Sequence, residues 1–324
     1  MPFRQTTVSG FPAIALRSDE LEVVVIPSLG MKLSHLRRLR GREWLWRSDQ
    51  IPLALPRAGA SYVETADSGG WDECFPTVGP SPLPGAPEGT PALPDHGELW
   101  SAPWTSAVFE RPEGVTLAGM AAGERLPYEF HREVTLDRGA PIMRLRYRLR
   151  HTGDAPFPWI WSAHPLFIVQ PGSTLSLPGV RQVRLDAVHG RTDLSRGDVV
   201  SWPAAIGGSL EVFTFPAAAA GWALKLFGDV GAEGRMSLTD PREGERLEIM
   251  VRAEEVPQVG VWINCAGWAP PGRRSYYNLA LEPCIGAPDR LDDAVDAWGL
   301  AQTLAPGEER RWEVELRLPE PPAS

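Results

Sequence analysis

Two histidines and one glutamate stand in sequence surroundings that favour acid/base chemistry. His96 follows a long proline-rich stretch in the sequence PDHGELW, and His164 lies near the end of the apolar run WIWSAHPLF. Glu282 comes near the end of a third apolar run, NLALEPC. Burial among apolar side chains moves the pKa values of imidazole and carboxyl groups toward neutrality, which suits them to exchange protons. Each residue alone also fits a structural role, so the interpretation depends on whether the three side chains converge.

The elements that must position these residues are predicted to be β-strands. Residues 142–150 and 311–318 alternate apolar with charged side chains, and residues 247–251 do the same. Alternation with a period of two is typical of antiparallel strands that bury one face and expose the other. The apolar runs 21–27 and 259–263 predict central strands that are covered on both faces.

Helical periodicity is scarce, which excludes folds built from alternating strands and helices. The best helical pattern covers residues 289–300, where Asp289 is a candidate N-cap and Gly299 a candidate terminator. The proline- and glycine-rich residues 80–94 predict a long loop. The sequence therefore predicts an all-β protein, a large antiparallel β-sandwich with few short helices, formed by residues 1–324 as a single domain.

The composition bears on the classes of partner. Of 324 residues, 32 are lysine or arginine and 41 are aspartate or glutamate, which gives a formal net charge of -9. This acidic balance argues against a nucleic-acid partner. The most apolar stretch, residues 213–227, contains Pro216 and Lys225 and is too short and too interrupted for a membrane span. We therefore expect no nucleic-acid partner and no membrane insertion.

The cysteines and the N-terminal residues bear on the compartment. Cys74, Cys265 and Cys284 are odd in number, and their spacing matches no CxxC metal-binding pattern. Residues 1–20 lack the continuous apolar core of a signal peptide. The sequence therefore predicts reduced thiols in a cytoplasmic protein.

Four short motifs, in this order and approximate spacing, resemble the aldose 1-epimerase (galactose mutarotase-like) family. They are GGWDECFPT at residues 69–77, DHGE at 95–98, HPLF at 164–167 and LEP at 281–283. The tail PGE and WEV within residues 306–314 also resembles the family's last strand. Each motif is weak alone, but together they cover most of the chain.

The resemblance implies a fold, an activity and a set of site residues. The family's fold is a large antiparallel β-supersandwich, and its enzymes interconvert sugar anomers by opening the ring, rotating about C1–C2 and closing it. By resemblance, His96 and His164 correspond to the two site histidines and Glu282 to the catalytic carboxylate. Glu282 is then the expected base, His164 the expected acid, and His96 the residue that orients the sugar or stabilises developing charge. The chemistry requires no metal and no cofactor.

Candidate contacts to a small-molecule carbohydrate come from the tryptophans and from a departure from the family. Apolar faces of sugars pack on indole rings, and the candidates are Trp71, Trp100, Trp161, Trp262 and Trp268. The family's Gly-Arg-x-x-Asn-Arg stretch is absent, and the sequence GWDE stands roughly in its place. Asp72 and Glu73 are therefore expected to accept hydrogen bonds from sugar hydroxyls. Asn264 is expected in the wall of the cleft.

Three alternatives remain open. A hexose-phosphate epimerase of the same fold would need a basic clamp, for which Arg273 and Arg274 are the candidates. A non-catalytic carbohydrate-binding protein would keep the tryptophans but would have no use for an acid/base set. A metal enzyme would use His96, His164 and Glu282 as a two-histidine, one-carboxylate site, although no tight HxH or HxD spacing supports it.

Overall fold

A computed structural model describes residues 1–56, 60–217, 220–242 and 244–320 of the protein. Within these ranges the chain forms mostly β-strands. The helical elements described are α1 (Tyr62–Thr65), α2 (Leu291–Asp296) and a 3₁₀ turn at Ala204–Ile206. The strands of the first half are β1 (Phe3–Val8), β2 (Phe11–Arg17), β3 (Leu21–Ile26), β4 (Lys32–Arg38), β5 (Trp71–Cys74), β6 (Thr105–Arg111), β7 (Gly114–Ala122), β8 (Tyr128–Asp137), β9 (Ile142–His151), β10 (Phe157–Trp159) and β11 (Trp161–Phe167). Those of the second half are β12 (Thr174–Ser176), β13 (Gln182–His189), β14 (Val199–Ser201), β15 (Val212–Thr214), β16 (Trp222–Asp229), β17 (Arg235–Thr239), β18 (Arg246–Val251), β19 (Gln258–Cys265), β20 (Tyr277–Ile285), β21 (Gln302–Leu304) and β22 (Glu309–Arg317).

Two large sheets dominate the described part of the chain. The larger has 11 strands in the order β1-β2-β3-β4-β5-β11-β20-β19-β16-β13-β14, and the smaller has 9 in the order β15-β12-β17-β18-β22-β9-β8-β7-β6. β10 and β21 form a separate two-stranded ribbon. The paired strands run antiparallel. The predicted fold class, a large antiparallel β-sandwich with few short helices, is therefore confirmed.

The strands predicted from alternation are present. Residues 142–150 lie in β9, and most of residues 311–318 lie in β22, which pairs with β9 over its full length. Residues 247–251 lie in β18, and the apolar runs 21–27 and 259–263 correspond to β3 and β19. Both of the apolar strands belong to the larger sheet, where buried residues follow one another along the chain.

One apolar core contains side chains from both large sheets. It includes Leu145 and Trp312 from the smaller sheet and Trp161 and Leu281 from the larger. Because successive side chains of a strand point to opposite faces, each strand gives alternate residues to this core and leaves the others for the opposite face. A shared core is what holds a domain together, so we propose that the chain is a single domain, as predicted for residues 1–324.

The helix predicted over residues 289–300 is shorter than expected. Helix α2 covers Leu291–Asp296, and its N-cap is Arg290, which makes no side-chain cap bond. Asp289 is not the cap, because its carboxylate is directed at Lys225. Its carbonyl oxygen also accepts hydrogen bonds from a neighbouring loop, so the chain enters the helix only after it.

The loop predicted at residues 80–94 is also present. All of these residues are described, and they contain no strand, only an isolated bridge between Ser81 and Leu93. None of the helices in the described ranges is long and apolar enough to cross a membrane. The loop ends immediately before the Asp95–His96 pair, so it delivers His96 to the face of the larger sheet.

Candidate active site

A cavity of about 370 Å³ lies against one face of the larger sheet. His96 and His164 both line it, and Trp262 and Trp268 form part of its wall. Its other lining residues include Tyr62, Asp67, Lys225, Asn278 and Asp289. The volume is within the range of sites for small molecules, which are usually concave and combine apolar walls with a few polar groups.

The register of the strands explains why the three predicted residues meet. Across the β11–β20 pair, the register places Glu282 opposite His164, and His164 Nε2 lies 3.9 Å from Glu282 Oε1. His96 arrives from the loop before β6, and its ring meets the ring of His164 edge-on, with centroids 4.9 Å apart. Strand pairing thus brings His164 and Glu282 together, and the loop before β6 adds His96.

His96 is held by its backbone and by an aspartate. Its φ of 60° lies in the left-handed region, which residues other than glycine occupy rarely and often at functional sites. Its ring stacks on Tyr62 with centroids 3.8 Å apart, and its Nδ1 lies 2.8 Å from Asp95 Oδ1. Burial alone would lower the pKa of His96, but the carboxylate of Asp95, with smaller contributions from Asp289 and Asp67, raises it above its usual value. The pair therefore favours a protonated imidazole ring.

His164 has the opposite electrostatic setting. Burial lowers the pKa of His164 well below its usual value, and the charges of His96, Lys225 and Lys32 lower it further. The ring is therefore neutral near pH 7. A neutral imidazole is a poor general acid, so the electrostatics favour His96, rather than the predicted His164, as the group that donates a proton.

Glu282 is buried behind a lysine. Its side chain is 0% exposed, and Lys225 Nζ lies 2.7 Å from its Oε1 and 2.6 Å from its Oε2. The hydroxyl of Ser162 donates a third hydrogen bond, 3.0 Å long, to Oε2. The lysine reaches the carboxylate across β19, where Gly260 stands opposite Glu282 in the register and carries no side chain to separate them. The predicted base is therefore separated from the cavity by Lys225.

Gly260 occupies a position that a methyl group would overfill. A Cβ at this position would lie 2.9 Å from Phe227 Cε1 and 3.2 Å from Glu282 Oε2. We expect Gly260→Ala to lower the free energy of unfolding by about 1–3 kcal/mol, because overpacking displaces its neighbours. Urea denaturation measures the change, and Gly139→Ala is the matched control, since a Cβ there meets nothing within 4 Å. Equal midpoints for the two variants would contradict this account of Gly260.

Lys225 joins Glu282 to a second carboxylate at the cavity wall. Its Nζ lies 3.2 Å from Oδ1 of Asp289, whose side chain is 24% exposed. Burial alone would lower the pKa of Lys225, but Asp289 and Glu282 raise it well above its usual value, so the amine stays charged. Burial raises the pKa of Asp289 to about 7, against the opposing effect of Lys225. A carboxyl group that titrates near pH 7 in a cavity is suited to exchange protons.

Several residues of this site are not identified from the sequence, among them Lys225, Asp289 and Asn278. In the sequence, Lys225 is only a charge that interrupts an apolar run, and Asp289 is only a candidate helix cap. A lysine inside a buried strand was the available signal, because a buried ammonium group requires carboxylate partners. Asn278 gave no such signal. It is 1% exposed, lines the cavity, and neither polar atom of its amide has a hydrogen-bond partner among the described residues.

The predicted contacts on β5 lie behind the cavity or in the core. Asp72 is covered by Tyr62, whose hydroxyl donates a hydrogen bond to Asp72 Oδ2 at 2.7 Å. Asp72 also forms an ion pair with Lys32. Trp71 and Glu73, which alternate with Asp72 along the strand, are 0% exposed. Among the described residues that line the cavity, none of these three appears. We therefore do not assign them contacts with a ligand.

Glu73 belongs instead to a charge pair in the core between the sheets. Its Oε1 lies 3.1 Å from Nη1 of Arg132 on β8, and both side chains are 0% exposed. The hydroxyl of Tyr147 and the indole N–H of Trp161 donate to its two oxygens at 3.0 and 2.9 Å. Burial raises the pKa of Glu73 to about 7, although Arg132 and these donors oppose the rise. Trp161, a predicted sugar contact, thus serves this buried pair.

The aromatic wall of the cavity is formed by Trp262 and Trp268. Both are half-buried, and their rings are nearly perpendicular with centroids 5.6 Å apart. Asn264 supports this wall, because its amide donates to the carbonyl of Trp268 at 3.0 Å and accepts from its N–H at 3.3 Å. It therefore lies behind the wall. Trp100 is also set back, edge-on against Tyr62 with centroids 5.0 Å apart.

Other parts of the described chain fit a site less well. Arg273 and Arg274, the candidate phosphate clamp, are outside the cavity lining, and Arg274 pairs with Asp49 at 2.5 Å. Within the described ranges, no group of three or more histidine, cysteine, aspartate or glutamate side chains is arranged to hold a metal ion. A larger depression of about 700 Å³ over β1–β4 is lined by charges that pair with each other, such as Arg37 and Glu22 at 2.7 Å.

Solved structures similar to this chain share its fold. The Slr1438 protein of Synechocystis sp. PCC 6803 matches 94% of this chain over 94% of its own, with 18% identity and a TM-score of 0.67. The match to a galactose mutarotase related enzyme from Lactobacillus acidophilus covers 95% of this chain and 98% of that enzyme, with 15% identity and a TM-score of 0.65. The match to a galactose mutarotase-like protein from Lactobacillus casei covers 95% of this chain and 100% of that protein, with 16% identity and a TM-score of 0.64.

These similarities confirm the fold that the motifs predicted: the chain has the galactose mutarotase-like fold. No family model matches the sequence, and no curated protein matches it either. At 14% to 18% identity, these matches show only that the backbones follow the same path. The chemistry of the site must therefore be argued from this chain's own residues.

Proposed function

We propose that this protein binds an unphosphorylated sugar in the cavity and interconverts its anomers by general acid/base catalysis, as an aldose 1-epimerase-like isomerase. The observation that supports this best is the convergence of His96, His164 and Asp289 in one cavity with an indole wall, with Glu282 held behind Lys225 at the edge of that cavity. Acid and base must both reach one sugar ring, about 3 Å from their target atoms. A cavity that gathers both types of group against tryptophans meets this requirement.

Anomer exchange removes one proton and delivers another. A base takes the proton of the C1 hydroxyl, the C1–O5 bond breaks as the C1 carbonyl forms, and an acid protonates O5. We assign the acid to His96, because Asp95 favours its protonated form, and we assign neutral His164 to a hydrogen bond with the sugar. The base belongs to the carboxylate pair around Lys225, of which Glu282 is the member predicted from the sequence. After rotation about C1–C2, His96 takes the proton back from O5 as O5 bonds to the other face of C1, and the protonated carboxyl group returns its proton to the C1 oxygen.

The cavity suits an uncharged ligand. Trp262 and Trp268 offer apolar surfaces to a sugar face, and the unpartnered amide of Asn278 offers both a donor and an acceptor to sugar hydroxyls. The lining also carries Asp289 and Asp67, and burial raises the pKa of Asp67 only to about 6, so that group is mostly ionised at pH 7. These carboxylates disfavour a phosphate, which argues against the hexose-phosphate alternative.

One observation favours a non-catalytic carbohydrate-binding protein as the second candidate. Glu282 is fully covered, and Lys225 contacts both of its oxygens. If no other carboxylate removes the proton of the C1 hydroxyl, the cavity would bind a sugar without converting it. The exposure of Asp289 to the cavity is the reason that we place this candidate second.

We also propose a cytoplasmic location. All three cysteines, Cys74, Cys265 and Cys284, are free thiols in buried positions. Burial raises the pKa of Cys265 to about 12 and that of Cys284 to about 12, so both remain protonated and unreactive. Free, inert thiols are typical of a reducing compartment.

The proposal is tested by anomer exchange of a panel of free aldoses, measured by NMR exchange spectroscopy and corrected for the spontaneous reaction. We expect acceleration of at least one aldose and no preference for its 6-phosphate. Asn278→Ala should raise KM by about 5- to 150-fold, because a lost buried hydrogen-bond partner costs about 1–3 kcal/mol, and kcat should change less.

Two other outcomes have a clear meaning. Sugar binding that depends on Asn278, without any acceleration by the parent protein, would replace the isomerase by the carbohydrate-binding candidate. Tight binding of a sugar phosphate that is lost in Arg273→Ala would favour the hexose-phosphate alternative, because that arginine has no role in the cavity proposed for a free sugar.

A further inference from the structure

We propose that Asp289, rather than Glu282, is the carboxylate that takes the proton from the C1 hydroxyl, and that Lys225 and Glu282 are positioning residues behind it. This inference rests on the proposed function and identifies the base within it. It assigns the base to a residue seven positions after the predicted one, on the segment between β20 and α2.

Access to the cavity separates the two carboxylates. Asp289 lines the cavity with a side chain that is 24% exposed, and its Oδ1, the atom nearest Lys225, is enclosed. The exposed remainder of the group therefore faces the space for the ligand. Glu282 is 0% exposed, with both oxygens on Lys225 and one also on Ser162. A sugar hydroxyl could reach Glu282 only if it displaced the ammonium group, which would leave buried charges unpaired.

Backbone hydrogen bonds fix the position of Asp289 relative to His96, the proposed acid. The carbonyl of Asp289 accepts hydrogen bonds from the N–H groups of Val78 and Gly79 at 2.9 and 2.7 Å. The carbonyl of Val78 in turn accepts from the N–H of His96 at 2.5 Å. Val78 and Gly79 themselves line the cavity. The same short loop segment therefore fixes His96 and Asp289 relative to each other, as an acid and a base that act on one sugar ring require.

The charge of Lys225 suits a positioning role. Asp289 and Glu282 raise the pKa of Lys225 well above its usual value, so the amine stays protonated and is not a nucleophile toward the sugar aldehyde. As a fixed ammonium group between two carboxylates, it orients Asp289 through the 3.2 Å contact to Oδ1. Glu282 supplies the second negative charge, which compensates the ammonium group and keeps Asp289 from being the sole counter-ion.

The charges around Asp289 determine how its titration should respond to mutation. It faces Lys225 from β16, Glu282 from β20, Asp186 from β13 and His96 from the loop. Burial raises the pKa of Asp289 to about 7, Lys225 opposes the rise, and Glu282 and Asp186 add to it. A base is active above its pKa, so the rate in the parent protein should increase as the pH rises through this value. Removal of the Glu282 charge should lower the pKa of Asp289 and move this increase to lower pH.

The experiment compares pH profiles of kcat/KM for anomer exchange in the parent protein, Asp289→Asn and Glu282→Gln. We expect Asp289→Asn to reduce kcat about 100-fold or more and to abolish the acidic limb of the profile. Glu282→Gln should keep measurable exchange with its acidic limb moved to lower pH. Asp296→Asn, the same substitution at an exposed position of α2, is the matched control and should match the parent protein.

The reverse pattern overturns the inference: no exchange in Glu282→Gln, together with an intact acidic limb in Asp289→Asn, would identify Glu282 as the base. If Glu282→Gln does not fold, the carboxyl carbon of Asp289 is titrated by NMR in the folded parent protein, assigned by its loss in Asp289→Asn. A titration near pH 7 that a bound sugar shifts supports Asp289, and a signal insensitive to the sugar overturns it. A parent protein that accelerates no aldose would instead refute the proposed function itself.

Discussion

Glu73→Gln should destabilise the protein by about 3–5 kcal/mol, the range for removal of one partner from a buried ion pair. Arg132 is 0% exposed and pairs with Glu73 in the core between the two sheets. A guanidinium group cannot lose its proton at any accessible pH, so its charge would remain buried without a counter-charge. The glutamine keeps the size of the side chain and one carbonyl acceptor. Its NH2 group replaces the other oxygen and faces the donor of Tyr147 or Trp161, so one hydrogen bond is lost together with the charge.

The opposite substitution should cost less, and the comparison tests the argument. In Arg132→Met the remaining Glu73 can take up a proton, because burial already raises its pKa to about 7. Urea denaturation of both single variants and of Glu73→Gln/Arg132→Met measures the three free energies of unfolding. We expect the double variant to be more stable than Glu73→Gln. A larger loss in Arg132→Met than in Glu73→Gln would contradict the asymmetry between the two charges.

Much of the fold could be predicted because alternation is a local property of the chain. The arginine-rich residues 142–150 and the run 311–318 each show one apolar and one charged face, and the two segments pair with each other in the structure. The order of the larger sheet is not local. β5, β11 and β20 are adjacent in space, although roughly a hundred residues separate each from the next along the chain. No pattern within a strand specifies such neighbours, so the order of the larger sheet could not be predicted from alternation.

The candidate site could also be predicted only in part: some of its residues can be identified from the sequence, but their protonation states cannot. The resemblance named His96, His164 and Glu282, which converge, but it was silent about the charges that set their protonation. The pKa of His164 is lowered mainly by burial, and the charge that covers Glu282 comes from Lys225, on a different strand. Both effects depend on the packed environment. Asp95, which precedes His96 in the chain, is the part of this electrostatic network that was visible in the sequence.

His96→Asn should reduce kcat for anomer exchange by about 10²- to 10⁴-fold, the usual contribution of a positioned general acid. Asparagine tolerates the left-handed φ of 60° at this position better than most residues, so the fold should be retained. His131→Asn, on the smaller sheet and outside the cavity, is the matched control. Loss of exchange in His164→Asn with full exchange in His96→Asn would return the acid role to the residue predicted from the sequence.

The alkaline side of the pH profile distinguishes an acid at His96 from a merely structural histidine. Asp95 Oδ1 lies 2.8 Å from His96 Nδ1, and this carboxylate raises the pKa of the ring against the effect of burial. An acid works only below its pKa, so the rate should fall as the pH rises through that value. Asp95→Asn removes the charge and should therefore move the fall to lower pH, because only Asp289 and Asp67 then oppose the lowering of the His96 pKa by burial. An alkaline limb that stays in place in Asp95→Asn would mean that His96 does not supply the proton to the ring oxygen.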